Sequence, residues 1–202
     1  MHASRSSCNK DSSRIAIRTV TMASRSWDLY EYPLSQNTTN HSWAVKTATQ
    51  LEKPRYVIFA LQTGRKNVMS QNDCVFDDCN LGNVKLYLNS TFYPYDDLNL
   101  DFGKKRYAIL FDMYAHFRRI YYEIDCFETL LNVLSFTEEG PFVTIGCSRQ
   151  YESVKSTTVD VRIEFDCRQI CITAANTTAY CLIIHDRGVQ YNPLTNVVRK
   201  II

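Results

Sequence analysis

In NVKLYLNSTFYPYDDLNLDF, residues 83 to 102, apolar and polar positions first alternate by twos. Val84, Leu86 and Leu88 fall on one side and Lys85, Tyr87 and Asn89 on the other, as a half-buried strand requires. The following YPYDDLN is turn chemistry: Pro94 sets its own φ, and Asp96, Asp97 and Asn99 bond their own backbone or cap a helix. HSWAVKTAT (41–49) alternates too, with Trp43, Val45 and Thr47 on one side, and predicts a strand with one wet face. PRYVIFALQT (54–63) is a continuous apolar run between Pro54 and Gly64, predicting a central strand buried on both faces. Further strands are expected at 141–147, 157–166 and 178–186. In the second of these Val159, Val161, Ile163 and Phe165 alternate without error against Asp160, Arg162 and Glu164.

Between these strands the period changes once. Tyr107, Leu110, Phe111, Tyr114, Phe117 and Tyr121 recur at helical spacing, predicting one amphipathic helix over 104–121 of about five turns. A short helix is expected at 126–135, where Phe127, Leu130, Leu131 and Leu134 share a face. SWDLYEYPL (26–34) is an aromatic stretch that stops at Pro33, and 64–80 is a long polar connection. Roughly six or seven strands with one helical excursion predict a mainly β fold, an antiparallel β-sandwich or jelly roll, because a parallel sheet needs helices between most strands.

At 202 residues the chain suits one domain. A hydrophobic content of 45% with only 6 glycines excludes a disordered or fibrous protein, and no apolar window is long enough to span a membrane. The formal charge of +2 is uneven. Residues 1–25 carry Arg5, Lys10, Arg14, Arg18 and Arg25 against Asp11 alone, leaving 18 basic and 20 acidic residues in the body. A flexible basic arm over 1–24 is expected, touching nucleic acid at most weakly through those five cations. No secretory h-region follows Met1, which points to an intracellular protein.

The side chains that carry chemistry are scattered. The eight cysteines form no paired zinc knuckles: the close pairs are Cys74/Cys79 and Cys167/Cys171, without a histidine near either. They read as reduced thiols, and no metal or other cofactor is expected. Sequons at Asn37, Asn40, Asn89 and Asn176 are what Asn- and Thr-rich links produce by chance. Asp77/Asp78, Asp96/Asp97 and Glu138/Glu139 read as solvated turn carboxylates. His185-Asp186-Arg187 reads as a satisfied strand-end cluster. No nucleophile elbow, zincin, P-loop or dinucleotide motif accompanies them, so the residues give no reason to expect an enzyme.

Four blocks, LEKPRYVIFALQTGRKN, CNLGNVKLYLNSTFYPYDDLNLDF, CSRQYESVKSTTVDVRIEF and TTAYCLIIHDRGVQYNPLTNVVRK, together resemble the double jelly-roll-like proteins found in many copies in invertebrate genomes. These are similar to the major capsid proteins of large DNA viruses and of Maverick/Polinton-type elements. The resemblance covers roughly residues 25–202 and implies a structural, capsid-like protein of viral or mobile-element origin, with no catalytic residues to carry over. It matches the second jelly roll alone, so a companion jelly roll or self-association is the implied partner. The drifted, cysteine-enriched stretches CFETLLNVLSFTEEG and CRQICITAA suit a truncated genomic copy. Removing a neighbouring sandwich exposes what it covered, and Trp27, Leu29, Tyr30, Trp43 and Val45 are the expected interface residues. The competing reading is a soluble binding module that recognises a protein or small ligand through the 64–80 loop and the aromatic turn at 92–95.

Overall fold

The computed structural model describes residues 19–34, 38–45, 54–66, 68–124, 129–147, 159–168 and 176–201. Along them run β1 (Val20–Pro33), β2 (Asn40–Val45), β3 (Pro54–Thr63), β4 (Leu81–Leu88), β5 (Thr91–Tyr93), α1 (Ala108–Tyr122) and α2 (Val133–Glu139). Then follow β6 (Val143–Gly146), β7 (Val161–Cys167), β8 (Thr177–Asn192) and β9 (Val197–Ile201).

One sheet has the order β1-β8-β3-β6 and the other β2-β7-β4-β5. Each of the pairs β1·β8, β2·β7, β3·β6 and β4·β5 joins strands equally far from the two ends of the first eight. This is one long hairpin, turning at β4–β5, rolled until β8 also meets β3 and β7 also meets β4. The product is a jelly roll, eight strands in two packed antiparallel sheets. The register sets Trp43 opposite Ile163, Leu86 opposite Ile163 and Phe59 opposite Cys181. Asn89, at φ 55°, opens the tight turn between β4 and β5, a left-handed position that asparagine tolerates. Its side-chain oxygen accepts from the Asp160 amide at 2.8 Å.

Alternation decides which face is core. Val84, Leu86 and Leu88 from β4, Val161, Ile163 and Phe165 from β7, and Val57, Phe59 and Leu61 from β3 form one buried cluster. Across the two sheets the Phe59 and Phe165 rings lie 4.8 Å apart. β3 is buried on its second face as well, since Tyr56, Ala60 and Gln62 are all buried. There the Tyr56 ring meets Phe117 of α1 edge-on at 4.9 Å.

The helices start later than their apolar spacing predicts. Residues 101–106 close on themselves through paired backbone hydrogen bonds between Asp101 and Arg106. Lys105 sits there at φ 57°, which no α-helix accommodates, so α1 begins at Ala108. The second helix shifts further, to Val133–Glu139. Asn132 is extended and its side chain accepts from the Ser135 amide at 2.8 Å, an N-cap that places Leu130 and Leu131 before the helix. Its buried residue is Phe136, stacked on Tyr114 at 5.4 Å, while Leu130 and Leu134 face outward. Phe127 lies outside the described residues. Glu138 and Glu139, expected in a loop, end α2.

The expected boundary between arm and domain changes. Compactness separates Arg25–Asp186, which holds the jelly roll, from a second unit made of Met1–Ser24 and Arg187–Ile202. β1 already starts at Val20, inside the segment read as a flexible arm. In the second unit Gly188–Asn192 pairs with Val197–Ile201 as an antiparallel hairpin. The Tyr191 hydroxyl and Asn196 Oδ1 lie 2.9 Å apart across its turn.

Candidate interface surfaces

The expected interface residues separate by the period-two geometry of their strands. In β1, Trp27 and Leu29 point away from the core and are 68% and 59% exposed. Tyr30 falls on the opposite face, partly buried against the core beside Tyr32. Trp43 and Val45 are not surface residues. They are 7% and 5% exposed, inside the sandwich, with Trp43 stacked on Tyr32 at 5.4 Å. β2 is an edge strand, but its apolar side faces inward, so burial removes those two residues from the surface.

Leu29 borders an apolar groove of about 540 Å³ on the outer face of the β1-β8-β3 sheet. Ile58, Ala60, Tyr180 and Leu182 form its floor, Phe117 and Phe142 one wall, and Phe76 with Lys66 and Asp73 the other. The 64–80 connection is held to build that wall. Gln62 donates to the carbonyls of Asp73 at 2.9 Å and Val75 at 3.1 Å. Asp77 accepts from the Thr63 amide at 2.8 Å and from Arg65 at 2.7 Å. At the mouth Lys66 pairs with Glu31, which raises the lysine pKa.

Charged residues near this face are engaged. Arg25 donates to the Tyr121 carbonyl at 2.7 Å, lies over the Tyr121 ring at 4.2 Å and stands 3.8 Å from Asp186. These contacts tie the Arg25 guanidinium to α1 and to the end of β8's core segment. Arg55 binds Asp186 at 2.5 Å, and His185, almost fully buried, has Nε2 3.4 Å from Asp28. Arg5, Lys10, Arg14 and Arg18 lie outside the described residues.

The other sheet carries a polar cleft of about 360 Å³ lined by His41, Lys85, Asp97, Glu164 and Asp166. Lys85 pairs with Asp97 at 2.7 Å, and its hydrogen bond, with that of Asn83, holds the Asp97 pKa down. Burial raises the Asp166 pKa, with Arg168 opposing in part. A Cβ on Gly82 would stand 2.4 Å from Asp166 Oδ2, so only glycine lets this carboxylate lie against the backbone. His41, stacked on Phe165 at 4.8 Å, has its pKa lowered by burial. Among the described residues no three His, Cys, Asp or Glu side chains converge on a point suited to a metal.

Cys147 and Cys181 are core thiols, both pushed up to about 12 by burial. Cys74 is an exposed free thiol. Cys8, Cys126 and Cys171 lie outside the described residues. No described helix is long and apolar enough to cross a membrane.

An eight-stranded jelly roll, with apolar side chains gathered on one outer sheet face, is the class these features define. The family model of the double jelly roll-like domain matches residues 11–189, and the chain belongs to that family. Among solved structures it is similar to a chain of the Sputnik virophage determined by cryo-EM, at 15% identity and a TM-score of 0.46. The match covers 91% of this chain and 39% of the virophage chain, so this chain spans well under half of that one's length. No curated protein matches it.

Proposed function

We propose that this protein is a structural subunit, a capsid-type jelly roll that works by assembly with a companion jelly roll or with further copies of itself. The observation that carries the reading is the outward pair Trp27 and Leu29 on one face of β1, with Leu29 bordering the apolar groove. A contiguous apolar surface on a folded sandwich marks a face that another protein covers. Membership of the double jelly roll-like family supports the companion as its occupant, since a second sandwich packed alongside would cover such a face. This reading needs no catalysis, and it suits an intracellular or virion protein descended from a virus or mobile element. An upstream frame encoding another jelly roll, or a packaging ATPase nearby, would support that descent.

Light scattering on the full chain over increasing concentration tests the reading. Trimers or larger species, or a stable complex with a co-expressed companion jelly roll, are expected. A monomer that stays monodisperse at every concentration and takes no companion overturns it. One observation favours the second reading, a binding module: the groove is walled by the 64–80 loop and has the size of a small-ligand site. A monomer that binds an apolar fluorophore stoichiometrically in that groove would turn the assignment that way.

A further inference from the structure

Formal charge is segregated between the two compact units. The unit formed by Met1–Ser24 and Arg187–Ile202 has seven basic residues and one acid, which leaves 16 basic and 20 acidic residues in Arg25–Asp186. In the smaller unit the described hairpin, Arg187–Ile201, holds Arg187, Arg199 and Lys200 and no carboxylate side chain. None of its residues is buried, and Leu194, Val197 and Val198 are exposed, as are Val20 and Met22 of β1. Residues 188–193 are half-buried, but the outer strand Val197–Ile201 is exposed along most of its length, a sheet edge open to pairing or cover by another chain. Exposed valines on a basic strand suit a protein partner better than a nucleic acid backbone, which is met by cations and polar groups.

The larger unit offers the complement. From residue 120 to residue 148 the chain has five acids and no Lys or Arg. On α2, in the helical insertion between β5 and β6, Glu138 and Glu139 are exposed together with Val133 and Leu134, as is Leu130 just before the helix, while Arg118 and Arg119 lie at the end of α1. Helix α2 shows the same mixture of apolar side chains and single-sign charge as the hairpin, with the sign reversed.

We infer that the basic hairpin at Arg187–Ile201 of one copy docks on the acidic, apolar corner around α2 of a second copy. The two patches differ, so the contact is heterologous and propagates head to tail, closing into a ring where the rotation permits. Apolar side chains form its centre, and the opposite charges set orientation and encounter rate. This contact rests on the assembly reading above but is probed at Arg199, Lys200, Glu138 and Glu139 rather than at Trp27 and Leu29, so the two fail separately.

The experiment compares the full chain with two charge reversals, Arg199→Glu/Lys200→Glu and Glu138→Lys/Glu139→Lys, by sedimentation velocity at low and high salt. Each reversal alone is expected to weaken self-association by about tenfold or more, and a mixture of the two variants to restore it. Raising the salt should weaken the unmodified protein in the same direction. All four positions are exposed, so circular dichroism and thermal melts should be unchanged. Association that survives both reversals, or reversals that no mixing rescues, overturns the contact. Binding of a fluorescent oligonucleotide that is lost in Arg199→Glu/Lys200→Glu, with association intact, overturns it in favour of a nucleic acid partner. Loss of association through Trp27 and Leu29 alone leaves the assembly reading standing without this contact.

Discussion

Replacing Trp27 and Leu29 together by serine separates an interface from a core. In the isolated sandwich these side chains are 68% and 59% exposed, so folding gains little from them, and surface changes of this kind shift stability by about 0.5 kcal/mol or less. Association is different. Burying a large apolar side chain completely is worth about 1.5–3 kcal/mol, and roughly two-thirds of that remains to be gained at each position. The pair therefore contributes about 2–4 kcal/mol to a contact that covers both, roughly 30- to 700-fold in the association constant. Sedimentation velocity over a concentration series measures that shift, and a thermal melt measures the monomer. The expected result is a large loss of association with the melting temperature nearly unchanged. Unchanged association, or a melting temperature that falls as far as it does for a core deletion, would refute the reasoning.

Phe59→Ala provides that core reference, since Phe59 is fully buried between the sheets against Phe165; a loss of about 3–5 kcal/mol in chemical denaturation is expected. Cys147 and Cys181, with pKa pushed up to about 12 by burial, should resist a thiol reagent at pH 8 in the native state and react on unfolding, while exposed Cys74 reacts at once. Rapid native labelling of Cys147 would contradict the placement of β6. The raised pKa of Asp166 means that the folded state holds its proton more tightly than the unfolded chain does. The charged form is then a cost above the folded pKa, and that cost fades as pH falls through it. Asp166→Asn should accordingly melt higher than the parent at pH 7, with the gap closing toward about pH 4; equal melting temperatures at pH 7 would show a well-solvated carboxylate.

Period-two alternation is local, so the sequence alone determined that β4 and β7 are half-buried strands and which of their residues face the core. The unbroken apolar run of PRYVIFALQT likewise determined that β3 is covered on both sides. The single change of period located the helical insertion, and the family resemblance rested on ordered blocks of the same strands. What escaped a linear reading depends on partners distant in the chain. Trp43 and Val45 looked like interface residues because alternation says that one side of β2 is apolar, but not whether that side meets the same sandwich or another protein; the stacking of Tyr32 on Trp43 decides it. The late start of α1 follows from the backbone bridge between Asp101 and Arg106, and that of α2 from the Asn132 cap, both conformations the apolar spacing does not encode. Pairing of Gly188–Asn192 with Val197–Ile201 extends the strand expected at 178–186 into a hairpin that no local period marks. Only the tertiary structure also brought Leu29 of β1, Phe76 of the 64–80 loop and Phe117 of α1 around one groove, because the rolled hairpin makes neighbours of segments dozens of residues apart.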